Sequence, residues 1–158
     1  MSMDGSGEMT GDSTRCVHSS LDPEVTTGSV HTPIFQTSTY VQKDFADHLG
    51  YEYARGDNPT RNALQRALAE MESPHQEAYG FCFGSGMAAI TTISQMLKQG
   101  DHVIACDDLY GGTVRLFDQI ASRFGIETTY SPLKSGDLGN AVRENSKILW
   151  LESPTNPL

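Results

Sequence analysis

Apolar positions along the chain fall into helical spacings separated by short continuous runs. In "NPTRNALQRALAEMES", Leu64, Leu68 and Met71 stand at i, i+4 and i+7, with Ala63 and Ala67 beside them, which predicts one inward face of a helix. Asn58 supplies an N-cap side chain, Pro59 suits the first helical position, and Pro74 marks the end. The run at 78–83 reads as a short strand that ends in Gly-Ser-Gly. A helix is expected over 86–98, with Met87, Ile90, Ile93 or Ser94, and Leu97 inward and Gly100 as C-terminal cap. "HVIAC" (102–106) is an apolar strand. A helix over 113–124 follows, with Phe117, Ile120, Ala121 and Phe124 on one side and Gly125 closing it. Strand 126–130, a weaker helix over 137–144 and strand 147–152 complete the pattern.

Strands that alternate with helices predict an α/β fold with a mostly parallel sheet. In such sheets ligands gather at the C-terminal ends of the strands. Three polar loops fall there, "GSGM", "DDLYGG" and "ESPTNP", and are expected to converge on one crevice.

Upstream the rhythm is lost. Residues 1–13 are rich in Gly, Ser and Asp and read as a disordered tail. Residues 14–57 are expected to form an extended arm, because "VTTGSVHTPIFQTSTYVQKDF" has no helical period and little to bury. Such an arm lies on something else, either the following α/β domain (58–158) or a neighbouring subunit.

Composition narrows the function classes. The 158-residue chain carries a net charge of −9, with pI near 4.8, which argues against nucleic acid or an anionic membrane as partner. No window approaches the length of a membrane span, and the N-terminus lacks the basic and apolar regions of a signal peptide. Cys16, Cys82 and Cys106 form no metal-binding or disulfide pattern, so a cytoplasmic location is expected.

Four segments carry candidate chemistry. In "FGSGM" the amides of Gly86 and Met87 open a helix, where backbone N–H groups and the helix dipole favour an anion such as phosphate. Tight strand-to-helix packing is the alternative use of those glycines. No GK[ST] follows, so it is not a P-loop. In "YEYARGDNPT", Tyr51, Tyr53 and Arg55 alternate, and a tyrosine hydroxyl with an arginine fork suits a phosphate. In "DDLYGGT", Tyr110 precedes two glycines that leave room for a planar ligand against its ring; a tyrosine capping the core is the alternative. In "LESPTNP", Asn156 stands between Thr155 and Pro157, a rigid setting for a fixed hydrogen-bonding side chain or simply a turn.

Taken in order, "YEYARGDNPTRNAL", "FGSGMAAI", "DDLYGGTVRLF" and "WLESPTNP" resemble the N-terminal half of the Cys/Met-metabolism, or transsulfuration, pyridoxal-phosphate enzymes of cystathionine γ-synthase and γ-lyase type. The resemblance implies the large domain of a fold-type I PLP-dependent transferase (aminotransferase-like), truncated here, with an extended N-terminal arm. It implies pyridoxal 5′-phosphate as cofactor, with its phosphate on Gly86 and Met87. Tyr53 and Arg55 would reach the phosphate in a neighbouring subunit. Tyr110 would stack on the pyridine ring and take part in proton transfer, and Asn156 would lie near the phenolic oxygen. Glu52 and Arg115 would sit by the substrate entrance. The substrates implied are small amino acids (cystathionine, cysteine or activated homoserine), handled by γ-replacement or γ-elimination in a homotetramer. Gly112 stands where methionine γ-lyases carry a cysteine, which disfavours that activity.

The family also needs a Schiff-base lysine. Lys43, Lys98, Lys134 and Lys147 are the lysines here, and none lies in a Ser-x-Thr-Lys setting. The expectation is therefore a fragment lacking that lysine. Two rivals remain: a non-catalytic phosphate- or subunit-binding chain that assembles with a full-length homologue, and a generic nucleotide-binding α/β domain.

Overall fold

The computed structural model describes residues 11–19, 22–134 and 137–155. The chain divides into two units, Met1–Cys82 and Phe83–Leu158. The expected tail lies largely outside the described residues.

The first unit opens with a short helix, α1 (Asp12–His18), at the start of the stretch expected to be extended. From residue 22 to the start of α2 the backbone has turns near 25–27 and 54–56 and a two-stranded antiparallel ribbon of β1 (Gln42–Asp44) and β2 (Asp47–His48), and is otherwise largely irregular. Helix α2 (Pro59–Glu72) begins where its cap predicts. Asn58 Oδ1 accepts the amides of Thr60 and Arg61 at 2.9 and 3.3 Å. Its Nδ2 donates to the Phe35 carbonyl at 3.2 Å, so the cap also ties the arm to the helix. The expected inward face of α2 is not buried: Leu64, Leu68 and Met71 are about half exposed.

Residues 78–83, expected to be a strand, have no regular secondary structure and pair with no strand among the described residues. A strand needs a neighbour that supplies backbone partners. Here the Gln65 side chain takes that place, its Oε1 accepting the Cys82 amide at 3.0 Å.

The second unit contains α3 (Gly86–Ser94), β3 (His102–Cys106), a helical stretch from α4 (Gly111–Arg115) onward, β4 (Glu127–Ser131), α5 (Asp137–Ala141) and β5 (Ser146–Trp150). The strands form a parallel sheet in the order β4-β3-β5. Central β3 is covered on both faces, with Val103 and Ala105 buried on one and His102 and Ile104 on the other, as its largely apolar run requires. Phe117 packs edge-to-face on Trp150, with ring centroids 5.7 Å apart, and joins Val103, Ala105, Leu109, Ala121 and Ile126 in the core.

Three helices depart from expectation. Helix α5 ends at Ala141 instead of 144. Helix α3 stops at Ser94, four residues early, and leaves Gly100 outside it. Its last turns hold the β-branched run from Ile90 to Ile93, and the Thr92 and Ser94 hydroxyls bond back to the carbonyls of Ala88 and Thr91. After α4 the helix widens into a π-turn (Leu116–Ile120) and then tightens to a 3-10 turn (Ala121–Phe124), closed by left-handed Gly125. The wide turn shifts the register, so Phe117 and Ala121 remain in the core while Ile120 and Phe124 face out.

Candidate cofactor site

At the start of α3, Ser85 is an extended N-cap whose Oγ accepts the Ala88 amide at 3.1 Å, while its carbonyl accepts the Ala89 amide. The amides of Gly86 and Met87 are the first two of the helix and have no intrahelical acceptor. Side chains added at Gly84 or Gly86 would meet open space. The alternative of a packing joint at these two glycines therefore finds no close contact that requires them.

Tyr110 is the N-cap residue of α4, without a side-chain cap of its own, and its ring is partly exposed. A Cβ at Gly112 would collide with Tyr110 Cε1 and lie 2.9 Å from Met87 Sδ. Gly112 is thus the floor on which the Tyr110 ring and the Met87 side chain meet. Arg115, the last residue of α4, is exposed, with Nη1 3.3 Å from where a Cβ on Gly111 would stand.

The loops after β3 and β5 are laced together. Glu152 Oε2 accepts the Tyr110 amide at 2.8 Å, and Oε1 accepts Thr113 Oγ1 at 2.7 Å and Trp150 Nε1 at 3.2 Å. Thr155 Oγ1 donates to Asp108 Oδ2 at 2.8 Å. Burial works to raise the Glu152 carboxyl, but the bonds from Tyr110, Thr113 and Trp150 together hold it below the ordinary carboxylate value. The loop after β3 and residues 152–155 after β5 therefore meet, and Met87 of "GSGM" lies beside Gly112. Asn156 lies outside the described residues. Glu152 was not singled out from the sequence, although a charged residue directly after an apolar parallel strand sits where ligands gather.

In the first unit, Tyr53 pairs with Thr39 across an antiparallel bridge, and the Tyr40 amide bonds the Glu52 carbonyl at 3.1 Å. The Arg55 guanidinium lies over the Tyr53 ring, 4.9 Å from its centroid. Tyr51 turns away to pair with Tyr40, their centroids 5.4 Å apart. Glu52, Tyr53 and Arg55 line an open recess of about 490 Å³ with Thr39, Tyr40 and Gln42. Arg61 from α2 braces this turn, its Nη1 and Nη2 donating to the carbonyls of Ala54 and Gly56 at 2.9 and 2.8 Å. Nothing in the spacing of Arg61 distinguishes it from a solvated helix arginine, so only the fold reveals the brace. Among the described residues no His/Cys/Asp/Glu cluster could hold a metal ion, and no helix is long and apolar enough to cross a membrane.

The model of one family, described as Cys/Met metabolism PLP-dependent enzyme, matches residues 13–158. The chain belongs to that family. A probable cystathionine gamma-synthase of Herpetosiphon aurantiacus is 47% identical over 149 residues, covering 94% of this chain and 46% of that protein. A cystathionine beta-lyase of Coxiella burnetii is 44% identical, covering 91% of this chain and 37% of that protein. The crystal structure of cystathionine gamma-lyase from Lactobacillus plantarum complexed with L-serine superposes with a TM-score of 0.86 at 36% identity, over 94% of this chain and 38% of that one. The chain spans less than half the length of these relatives. The α/β architecture with its parallel sheet is that of the family's PLP-binding domain.

The residues present fit the family's cofactor, pyridoxal 5′-phosphate. A phosphate needs free backbone donors, and the open start of α3 offers the amides of Gly86 and Met87. A flat ring needs an aromatic wall, and Tyr110 stands beside Met87 over a glycine that cannot become alanine without a clash.

Proposed function

We propose that this chain is the cofactor-cradling part of a PLP-dependent carbon–sulfur enzyme of transsulfuration, acting by γ-replacement or γ-elimination on cystathionine or an activated homoserine, with cysteine as the entering thiol or the product. The observation that carries the reading is the meeting of the Tyr110 ring and Met87 over Gly112, at the open end of a capped helix. An aromatic wall next to a phosphate cradle suits a phosphorylated aromatic ring.

In this reading the Gly86 and Met87 amides bind the phosphate and Tyr110 lies against the ring. Tyr110 Oη, on the exposed side, moves a proton between substrate carbon and leaving group. The cofactor, when bound, supplies an electron sink for charge that develops at the substrate α-carbon. Tyr53 and Arg55 reach the phosphate held by a neighbouring copy in a homo-oligomer. Their guanidinium-over-ring pairing in an open recess supports this, since it presents both groups outward. Glu52 and Arg115, both exposed, orient the charged ends of a small amino acid, and Asn156 steadies the phenolic oxygen. Three free cysteines among the described residues support a reducing, cytoplasmic setting.

The test is titration of the chain with pyridoxal phosphate and with pyridoxal, followed by absorbance and by competition with inorganic phosphate. Charge-assisted bonds from the α3 amides are worth about 2 kcal/mol, so pyridoxal should bind roughly 30-fold more weakly, and phosphate should compete. Equal affinity for both compounds would remove the phosphate cradle. Incubating a complex of this chain with its longer homologue and cystathionine, and identifying the products, distinguishes γ- from β-cleavage.

A further inference from the structure

We propose that Glu152 is a positioning residue for the cofactor site, its carboxylate holding Tyr110 and the start of α4 so that the ring presents a fixed wall to a planar ligand. The inference rests on the reading above that Tyr110 backs the cofactor ring.

Helix α4 starts without a side-chain cap of its own. Its first donors would be left unsatisfied, which a helix end rarely tolerates near a buried core. Glu152 meets one of them, the Tyr110 amide, from beyond the end of a different strand. One oxygen takes the Tyr110 amide and the other takes Thr113 Oγ1, whose residue is fully buried. The carboxylate is itself anchored by Trp150 Nε1, and the Trp150 ring is held edge-on by Phe117. Core, strand end, carboxylate and tyrosine therefore form one connected path. The Tyr110 ring has Gly112 beneath it, so its placement depends on the backbone at 110–113. A negative charge at a helix start is also favourable in itself.

The donor pattern singles out a carboxylate. Three donors surround it: a backbone N–H, a hydroxyl and an indole N–H. An amide can accept from Tyr110 and donate to the Thr113 hydroxyl, which can turn and accept. It must then point an N–H at Trp150 Nε1, which can only donate. Glutamine is thus a partial substitute and alanine none. With both oxygens accepting from the fold itself, Glu152 acts by holding the site.

The experiment compares the native chain with Glu152→Ala and Glu152→Gln, all well below their unfolding midpoints. It measures circular dichroism induced in bound pyridoxal phosphate, affinity for pyridoxal phosphate and for inorganic phosphate, and amide exchange at Tyr110. Glu152→Ala should lose most of the induced dichroism and bind pyridoxal phosphate about tenfold more weakly, the scale of a lost aromatic contact. Inorganic phosphate should bind as before, and Glu152→Gln should recover part of both signals. A merely structural glutamate would lower the midpoint and leave dichroism and affinity unchanged in the folded chain, which would overturn the proposal. Equal weakening toward phosphate would overturn it too. If Glu152→Ala does not fold, Glu152→Gln decides by the same readouts. No binding of pyridoxal phosphate by the native chain would overturn the functional reading instead. Tyr110 amide exchange then decides the positioning: at least about tenfold faster in Glu152→Ala supports it, and no change overturns it.

Discussion

The backbone amide of Tyr110 donates to Glu152 Oε2 at 2.8 Å, although 42 positions separate the two residues. That bond joins the loop after β3 to the loop after β5 and sets where the Tyr110 ring can lie. The same relationship carries a pH dependence. The bonded Glu152 carboxyl titrates below its ordinary value of 4.5. Its stabilising contribution is therefore present above pH 4.5 and is lost as pH falls through the lower, folded value. Chemical denaturation of the native chain and of Glu152→Gln between pH 6 and pH 3 should show a steeper loss in the native chain.

Gly112→Ala should displace the Tyr110 ring. The new methyl would collide with Cε1 and crowd Met87 Sδ. Overpacking of this kind costs about 1–3 kcal/mol. Urea unfolding should register that loss, and binding of pyridoxal phosphate should fall with it while inorganic phosphate is retained.

His102 should make the second unit sensitive to acid. It is fully buried, with Nδ1 2.8 Å from Ser146 Oγ and Nε2 2.8 Å from Thr129 Oγ1, and so links all three strands of the sheet. Arg143 stands on both partners: Nη2 bonds Thr129 Oγ1 at 3.0 Å, and its amide bonds Ser146 Oγ at 2.9 Å. Burial lowers the His102 pKa first, the Arg143 charge lowers it further, and Glu127 opposes both. A histidine whose folded value lies below 6.5 stabilises fully above pH 6.5 and loses that contribution as pH falls through the folded value. Stability measured from pH 8 to pH 5 should decline in the native chain, and His102→Gln should flatten the slope.

Asn58→Ala removes the cap of α2 and the arm's bond through the Phe35 carbonyl. N-cap losses cost about 1 kcal/mol. Amide exchange should accelerate at Thr60 and Arg61, with little change in the second unit.

Phe117→Ala should be the most damaging of these substitutions, because the ring is buried and supports Trp150. The expected cost is about 3–5 kcal/mol, read from urea unfolding. Trp150 fluorescence should change as its edge-on neighbour disappears.

Several elements are legible from local chemistry. The start of α2 follows from Asn58 before Pro59, because capping is decided by a few adjacent atoms. Strand β3 matches its apolar run residue for residue, since a central parallel strand has no polar face to confuse the pattern. The proposed phosphate cradle is equally local, since it rests on the open amides of Gly86 and Met87 at a helix start.

What local chemistry does not determine is pairing. The apolar run at 78–83 has the composition of a strand, but composition supplies no neighbour, and the Gln65 side chain takes its backbone donor. Periodicity placed Phe124 with Phe117, yet the π-turn between them turns Phe124 outward. Glu152 and Tyr110 carry no mark of each other in the chain. By itself, the sequence determined the cap that starts α2, the glycine that closes the helical stretch before β4 and the central strand, each through near neighbours, whereas Gly100, expected to close α3, stands six residues beyond its end. Only the tertiary structure decided that the Tyr110 ring rests on Gly112 beside Met87 and is held by Glu152, because those contacts exist only once the parallel sheet has brought distant loops to one edge.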